Sequence, residues 1–320
     1  MVQTTDKIYQ LSIPTPFAVG DVHTYLLKGE MLTLVDAGVK TEEAWKALES
    51  QLGSLGYRPK DIKQIVLTHH HPDHIGLVDR FDHLEGVYGH EDNRNWLQRD
   101  EAFLTRFQTF FHTLYKQFGV DQSHEAFFKH LQDPLKYVAK GTLTRSLQEG
   151  DSIPGHPDWA CLETPGHAES HLSFYRSADQ SMISGDHLLY HISSNPLLEP
   201  PRKPGGERPR PLVTYQKTLE RCLHMDIGEV YPGHGPIFAN PQELIKERLN
   251  KQQHRSNKVY HMLEGGPLTP FQVCKQLFPK HIKKQFGLTM SETVGQLDLL
   301  EEGGLVRVHL EDGVYYYEAK

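Results

Sequence analysis

Four candidate metal ligands, His69, His71, Asp73 and His74, fall within six residues, directly after the apolar run Ile65-Val66-Leu67. Imidazole nitrogens and carboxylate oxygens are the donors that suit zinc or iron. In an extended segment His69 and His71 point the same way, as alternate side chains do, and can grip one ion. The turn at Pro72 then carries Asp73 and His74 toward a second position. A helical H-E-x-x-H protease site is excluded, because no Glu follows the first His and no i, i+4 pair of histidines sits on an apolar helix. His70 points away from its neighbours and is expected to pack or to support a ligand.

Three further segments each place one ligand-type residue just past a short β-like run. Thr164-Pro165-Gly166-His167 follows 159–163, Ser184-Gly185-Asp186 follows 181–183, and Tyr231-Pro232-Gly233-His234-Gly235 follows 229–230. This is the pattern of strand ends converging on one edge of a sheet, where such scaffolds place their chemistry.

In type and order, His69, His71, Asp73, His74, His167, Asp186 and His234 resemble the seven-ligand signature of the metallo-β-lactamase superfamily. The resemblance runs from the N-terminal strands to the Gly-His-Gly segment. It implies an α/β fold, an αββα sandwich of two mixed sheets with helices outside and metals at one rim. It implies two divalent ions, zinc first with iron or manganese as alternatives. His69, His71 and His167 would hold one ion and Asp73, His74 and His234 the other, with Asp186 bridging. A metal-bridging hydroxide would attack the substrate while Asp73 orients it or takes its proton.

Departures from branches of that superfamily narrow the reaction. Antibiotic-hydrolysing members carry Cys where Asp186 stands, and the cysteines here are Cys161, Cys222 and Cys274. The di-iron reductases carry Glu at the position of His71. What remains is a glyoxalase-II-like, lactonase-like or phosphodiesterase-like hydrolase. The leading expectation is cleavage of an ester, thioester or lactone. The alternative is a metal-dependent phosphodiesterase or endoribonuclease, and the third reading is a nucleic-acid-binding, metal-dependent regulator. Asp36, in Val35-Asp36-Ala37-Gly38, resembles the Asp-x-Gly turn of the family and is expected to support a ligand. His171 and His187 are read as structural.

The elements that must position these residues can be outlined from patterning. Residues 8–13, 24–28 and 31–36 read as strands with a turn at Lys28-Gly29-Glu30, and 41–55 as a helix capped by Thr41. A short helix from His74 and a strand at 86–89 follow. Residues 91–150 form a helical insertion, in which Phe103, Phe107, Phe110, Phe111, Leu114, Tyr115 and Phe118 recur at three- and four-residue steps. A second helix is expected over 123–140. The insertion is a candidate lid, with Phe110 and Phe111 lining an acyl pocket. Prolines make 195–211 a loop, whose Arg202, Lys203, Arg208 and Arg210 are candidates for meeting an anionic substrate. Tyr190 is a candidate for polarising a carbonyl. Helix resumes at 214–225.

The domain boundary is expected at 240: a catalytic domain over 1–240, then a linker helix over 241–264 and a winged-helix-like module within 241–320. In that module 269–278 and 291–302 read as helices, the latter capped by Ser291, before a hairpin about Asp312-Gly313. Lys280, His281, Lys283 and Lys284 could attract nucleic acid, but Glu292, Asp298, Glu301 and Glu302 on the candidate recognition helix would repel it. Packing or a homodimer is favoured over nucleic acid.

With 320 residues, 38% of them hydrophobic, the chain can bury a full core. The net charge of -7 opposes nonspecific nucleic-acid binding. Residues 1–15 lack a leader pattern, no run approaches a membrane span, and three scattered cysteines suit a reducing compartment. The expectation is a cytoplasmic enzyme with a small-molecule substrate and no membrane partner.

Overall fold

Strands buried on both faces must find two different apolar surfaces for their alternating side chains. The computed structural model, which describes residues 7–121 and 124–320, shows that arrangement twice. The first six residues of the proposed leaderless start, and Ser123 of the expected second insertion helix, lie outside the described residues.

The first sheet is β1 (Lys7–Ile13), β2 (Val22–Lys28), β3 (Leu32–Val35), β4 (Gln64–Val66), β5 (Gly86–Gly89) and β6 (Arg145–Ser146), in that spatial order. β1 to β3 are antiparallel, and β3 to β6 run parallel. Between β3 and β4 lies α1 (Glu42–Ser54), whose cap Thr41 accepts from Ala44 N–H at 3.1 Å. Its Ala44, Leu48 and Leu52, spaced four apart, bury against Leu26, Leu34 and Ile65 on the outer face of the sheet.

Tyr25, Leu27, Val35 and Val66 face the other way, onto Trp159, Cys161, Leu172, Phe174 and Ile183 of the second sheet. That sheet has the spatial order β12-β11-β10-β9-β8-β7, with β7 (Ser152–Ile153), β8 (His156–Glu163), β9 (Leu172–Arg176), β10 (Ser181–Gly185), β11 (Glu229–Pro232) and β12 (Phe238–Ala239). Its outer face carries Met182 and Val230 beneath α6 (Pro211–Leu223). The result is a mixed α/β sandwich with helices outside both sheets.

The short helix at the metal motif is α2 (Pro72–Ile75), beginning at the proline rather than at His74, because a fixed φ and a missing N–H suit the first helical position. In the insertion, α3 (Asn93–Gln98) and α4 (Glu101–Gln117) lead to α5 (Glu125–Lys129). The long helix expected over 123–140 is not formed: α5 is followed by a 3-10 turn over Asp133–Tyr137, entered at Pro134, which has no N–H to continue an α-helix.

Beyond β12 come α7 (Gln242–Leu263), α8 (Pro270–Leu277), α9 (Phe286–Glu302) and the antiparallel hairpin β13 (Val306–Glu311) and β14 (Val314–Ala319). α7 serves two cores, burying Ile245 beneath the second sheet and Val259 and Leu263 against Leu297, Leu300 and Tyr317. α9 starts five residues before the expected cap, and Ser291 is not that cap. Its Oγ accepts from Leu198 N–H at 3.1 Å instead. Among the described residues no helix is long and apolar enough to cross a membrane.

Candidate metal centre

Five strand ends meet at one rim, and the backbone there is pinned before any side chain is considered. Leu172 N–H donates to Thr68 O at 2.7 Å, and His23 N–H donates to Gly233 O at 2.7 Å, so each bond ties one sheet to the other. Tyr25 Oη, at the core of the sandwich, donates to Pro232 O at 2.6 Å. Two glycines permit the approach. Gly185 has φ +49°, and a Cβ there would stand 2.8 Å from His171 Nε2. A Cβ on Gly233 would stand 2.2 Å from Asp186 Oδ1, so any larger residue displaces that carboxylate.

The rim gathers all seven side chains singled out above. Their ligand atoms form three overlapping groups, His69-His71-His167, His69-His74-Asp186 and Asp73-His74-His234, with atoms within 4.8 Å of one another in each. His71 Nδ1 lies 2.9 Å from both His69 Nε2 and His167 Nε2. A neutral imidazole carries one N–H, so three nitrogens turned on one point suit a shared cation better than each other. Asp186 stands between the groups, with His74 Nε2 at 3.5 Å, His167 Nε2 at 3.4 Å and His234 Nε2 at 3.6 Å, while Asp73 faces His234 Nε2 at 3.3 Å.

The donors' outer atoms are already engaged. His234 Nδ1 bonds Asp21 O at 2.7 Å, and a carbonyl only accepts, so the ring's Nδ1 holds the proton and Nε2 is turned inward. His74 Nδ1 bonds Asp36 Oδ2 at 2.7 Å, which likewise aims its Nε2 at the centre. Asp36 also accepts from Thr68 N–H and Thr68 Oγ1, each at 2.7 Å. His171 supports rather than ligates: its Nε2 accepts from Asp186 N–H at 3.1 Å and its Nδ1 meets Thr164 Oγ1 at 2.8 Å. His70 turns outward, bonding Ser170 Oγ at 2.8 Å and stacking flat on Trp96, with ring centroids 4.6 Å apart and 3° between planes. His187 packs under Tyr215, consistent with a structural role.

Electrostatics divides the cluster. Burial, then neighbouring imidazoles, hold His69 and His71 well below the ordinary histidine value. Burial lowers His167 too, against the pull of Asp186. His74 and His234 are held above that value, since Asp186 with Asp36 or Asp73 outweighs burial. Burial would raise Asp73 and Asp186, yet both are lowered by the facing histidines. His69, His71 and His167 are thus neutral and Asp73 and Asp186 ionised, as metal coordination needs, whereas His74 and His234 would each give up a proton to a cation. Two buried polar atoms, His74 Nε2 and Asp186 Oδ1, face each other with no hydrogen-bond partner. Orphaned donors of this kind fit a cation between them.

The substrate candidates are distributed differently. Arg202 reaches the rim's edge, donating to Glu169 O at 3.0 Å and pairing with Asp92 at 2.8 Å. Arg208 does not: its guanidinium forms a two-pronged pair with the buried Asp298 of α9, at 2.9 and 2.5 Å, because an unpaired carboxylate there would be costly. Arg210 pairs with Glu301 at 3.1 Å. Phe111 is turned into a core with Phe271 and Phe286 instead of over the rim, whereas Phe110 borders a surface groove. Tyr190 is 54% exposed, lies against Phe238 and lines a separate groove of about 230 Å³ beside α7.

Sequence reading missed His23, Trp96, His191 and Glu199. The ring of His191 lies against the backbone of Gly235, beside His234. Glu199 accepts from Glu169 N–H at 2.9 Å, and its acid placed directly before Pro200-Pro201 was a usable signal.

Comparison with known proteins agrees with this geometry. The profile described as the metallo-beta-lactamase superfamily matches residues 18–234. The chain is 42% identical over 315 residues to the probable metallo-hydrolase YqjP of Bacillus subtilis, covering 98% of each. It is 23% identical to the atrochrysone carboxyl ACP thioesterase of Aspergillus fumigatus, over 79% of this chain and 62% of that protein. Among solved structures, metallo-beta-lactamase family protein TTHA1429 from Thermus thermophilus superposes with a TM-score of 0.80 at 28% identity, over 98% of both chains.

Proposed function

The chain belongs to the metallo-beta-lactamase superfamily and is a metal-dependent hydrolase of it, and from that premise we propose that it cleaves a carbonyl ester, thioester or lactone. Two divalent cations would be held as the donors group: one by His69, His71 and His167, the other by Asp73, His74 and His234, with Asp186 between. What supports a pair over a single ion is Asp186, whose carboxylate faces histidines of both triads at 3.4 to 3.6 Å. Zinc is the leading candidate for an imidazole-rich set. When bound, the cations supply Lewis acidity toward a water and toward the substrate carbonyl. Asp73, held ionised beside His234, would orient that water and accept its proton. Asp36 and Asp21 O fix the tautomers of His74 and His234. The similarity to a carrier-protein thioesterase supports thioesters within this class.

Replacing Asp186 or His74 with Ala is expected to remove one cation and most turnover. Elemental analysis of each variant beside kinetics on a panel of thioesters, lactones and phosphodiesters checks this; full turnover with one metal per chain overturns it.

A phosphodiesterase would use the same centre as a phosphate clamp, but Arg208 and Arg210 are committed to α9 and are not free to meet a phosphate backbone. The tail is read as winged-helix-like, from two helices followed by a hairpin. Burial of most of α9 supports packing as its task over nucleic-acid binding. Three free, buried cysteines support a reducing, cytoplasmic setting.

A further inference from the structure

The two triads of donors are braced differently. In the one built from Asp73, His74 and His234, each imidazole has its outer nitrogen bonded at 2.7 Å, His74 to Asp36 Oδ2 and His234 to Asp21 O. In the one built from His69, His71 and His167, His69 Nδ1 meets Thr68 Oγ1 at 2.9 Å, but Nδ1 of His167 is buried with no hydrogen-bond partner among the described residues. Nothing grips the His167 ring from behind, so its place depends on the backbone that carries it.

His70 ties that backbone to the metal motif. It is buried, and its Nδ1 lies 2.8 Å from Oγ of Ser170, a fully buried residue three positions beyond His167. One hydrogen bond thus joins the 69–71 segment to the 167–170 turn, the two stretches that supply all three donors of this triad. Alternate side chains of an extended segment face opposite ways, so holding His70 outward turns His69 and His71 inward together. Trp96 of α3 covers the bond from outside. Its ring lies flat on His70 with 3° between planes, while Phe103 and Phe107 of α4 meet it edge-on at 5.1 and 5.2 Å. A ring stacked on one side and hydrogen-bonded on another has little freedom to swing.

We propose that His70 and Trp96 are positioning residues for the ion held by His69, His71 and His167, and that the aromatic face of the insertion acts through them on that ion and not on the other; this rests on the two-ion reading above. The insertion then serves as a brace that sets the occupancy of one metal position from outside the ligand set.

Zinc titration of the metal-stripped protein against a chelating dye tests it. Wild type is expected to show two binding steps. Trp96→Leu, which fills space without a ring face to stack, and Ser170→Ala, which removes the bond with little change in volume, should each weaken one step by about 10–100-fold and leave the other unmoved. Trp96→Phe should recover most of the affinity lost in Trp96→Leu. His234→Ala, which removes a donor of the other triad, should abolish the step that Trp96→Leu leaves unmoved. The inference is overturned if no step moves, if Trp96→Leu weakens both steps alike, if Phe restores nothing, or if the weakened step is the one that His234→Ala abolishes. Should Trp96→Leu fold poorly, Ser170→Ala with His234→Ala decides the matter. A wild type with a single step would refute the two-ion reading, and weakening of that step by Trp96→Leu with recovery in Trp96→Phe would still sustain the positioning role.

Discussion

Asp36 decides how His74 presents itself. It sits at φ 61°, a left-handed conformation that Asp tolerates better than most residues, and from there accepts three hydrogen bonds, one of them from the His74 ring. Asp36→Ala should free that imidazole and weaken metal affinity by about 10–100-fold. Competition with a chelating dye measures it, and unchanged affinity would show that the strand ends alone orient the ring. Glu199 makes a different prediction. Burial, and then the neighbouring Glu169, push its carboxyl up to about 8. The folded state therefore holds this proton more tightly than the unfolded chain, whose Glu titrates at about 4.3. Stability from the neutral acid is present below that lower value and lost as pH rises through the upper one. Glu199→Gln should raise Tm relative to wild type at pH 8 but not at pH 4, and a pH-independent difference would contradict this. At this scale the convergence of the seven donor residues was legible, because each sits in a short motif just past a strand and type and spacing survive folding. Trp96, His23 and His191 were not, since each meets the rim through a chain path that local pattern does not encode, while Glu199 was marked by its place directly before two prolines.

Elements whose periodicity is set by burial were read correctly in kind. β1, β2, β3 and α1 fall within two residues of their expected bounds, and Thr41 caps as its chemistry requires. Where polar residues are buried in pairs, pattern misled. Asp298, Glu301 and Glu302 were expected to repel nucleic acid from α9, yet Arg208, Arg210 and Lys217 reach across from the proline loop and α6 to pair with them. Removing one partner of the enclosed pair should be costly: Arg208→Ala is expected to lower unfolding free energy by about 3–5 kcal/mol. Urea denaturation checks this, together with Arg208→Met/Asp298→Leu, which should recover much of the loss. A single substitution within about 0.5 kcal/mol of wild type would mean the pair is solvated. The expected helix over 123–140 failed for a simpler reason, the proline at 134.

On the scale of the molecule, composition and charge were legible, but the joining of the parts was not. The insertion, expected to close over the rim, sends Phe111, Tyr115 and Phe118 into one core with Phe271, Ile282 and Phe286 of the tail, Tyr115 and Phe286 meeting at 5.3 Å. A shared core of this size should melt as one unit. Phe286→Ala is expected to cost about 3–5 kcal/mol while leaving a single calorimetric transition; two resolved transitions would show that the tail unfolds independently. The shared aromatic core also bears on ancestry. Neither the helical excursion nor the C-terminal appendage could be shed by a descendant lineage without stranding the greasy face of its counterpart in water, so the two should be gained and lost together across evolution.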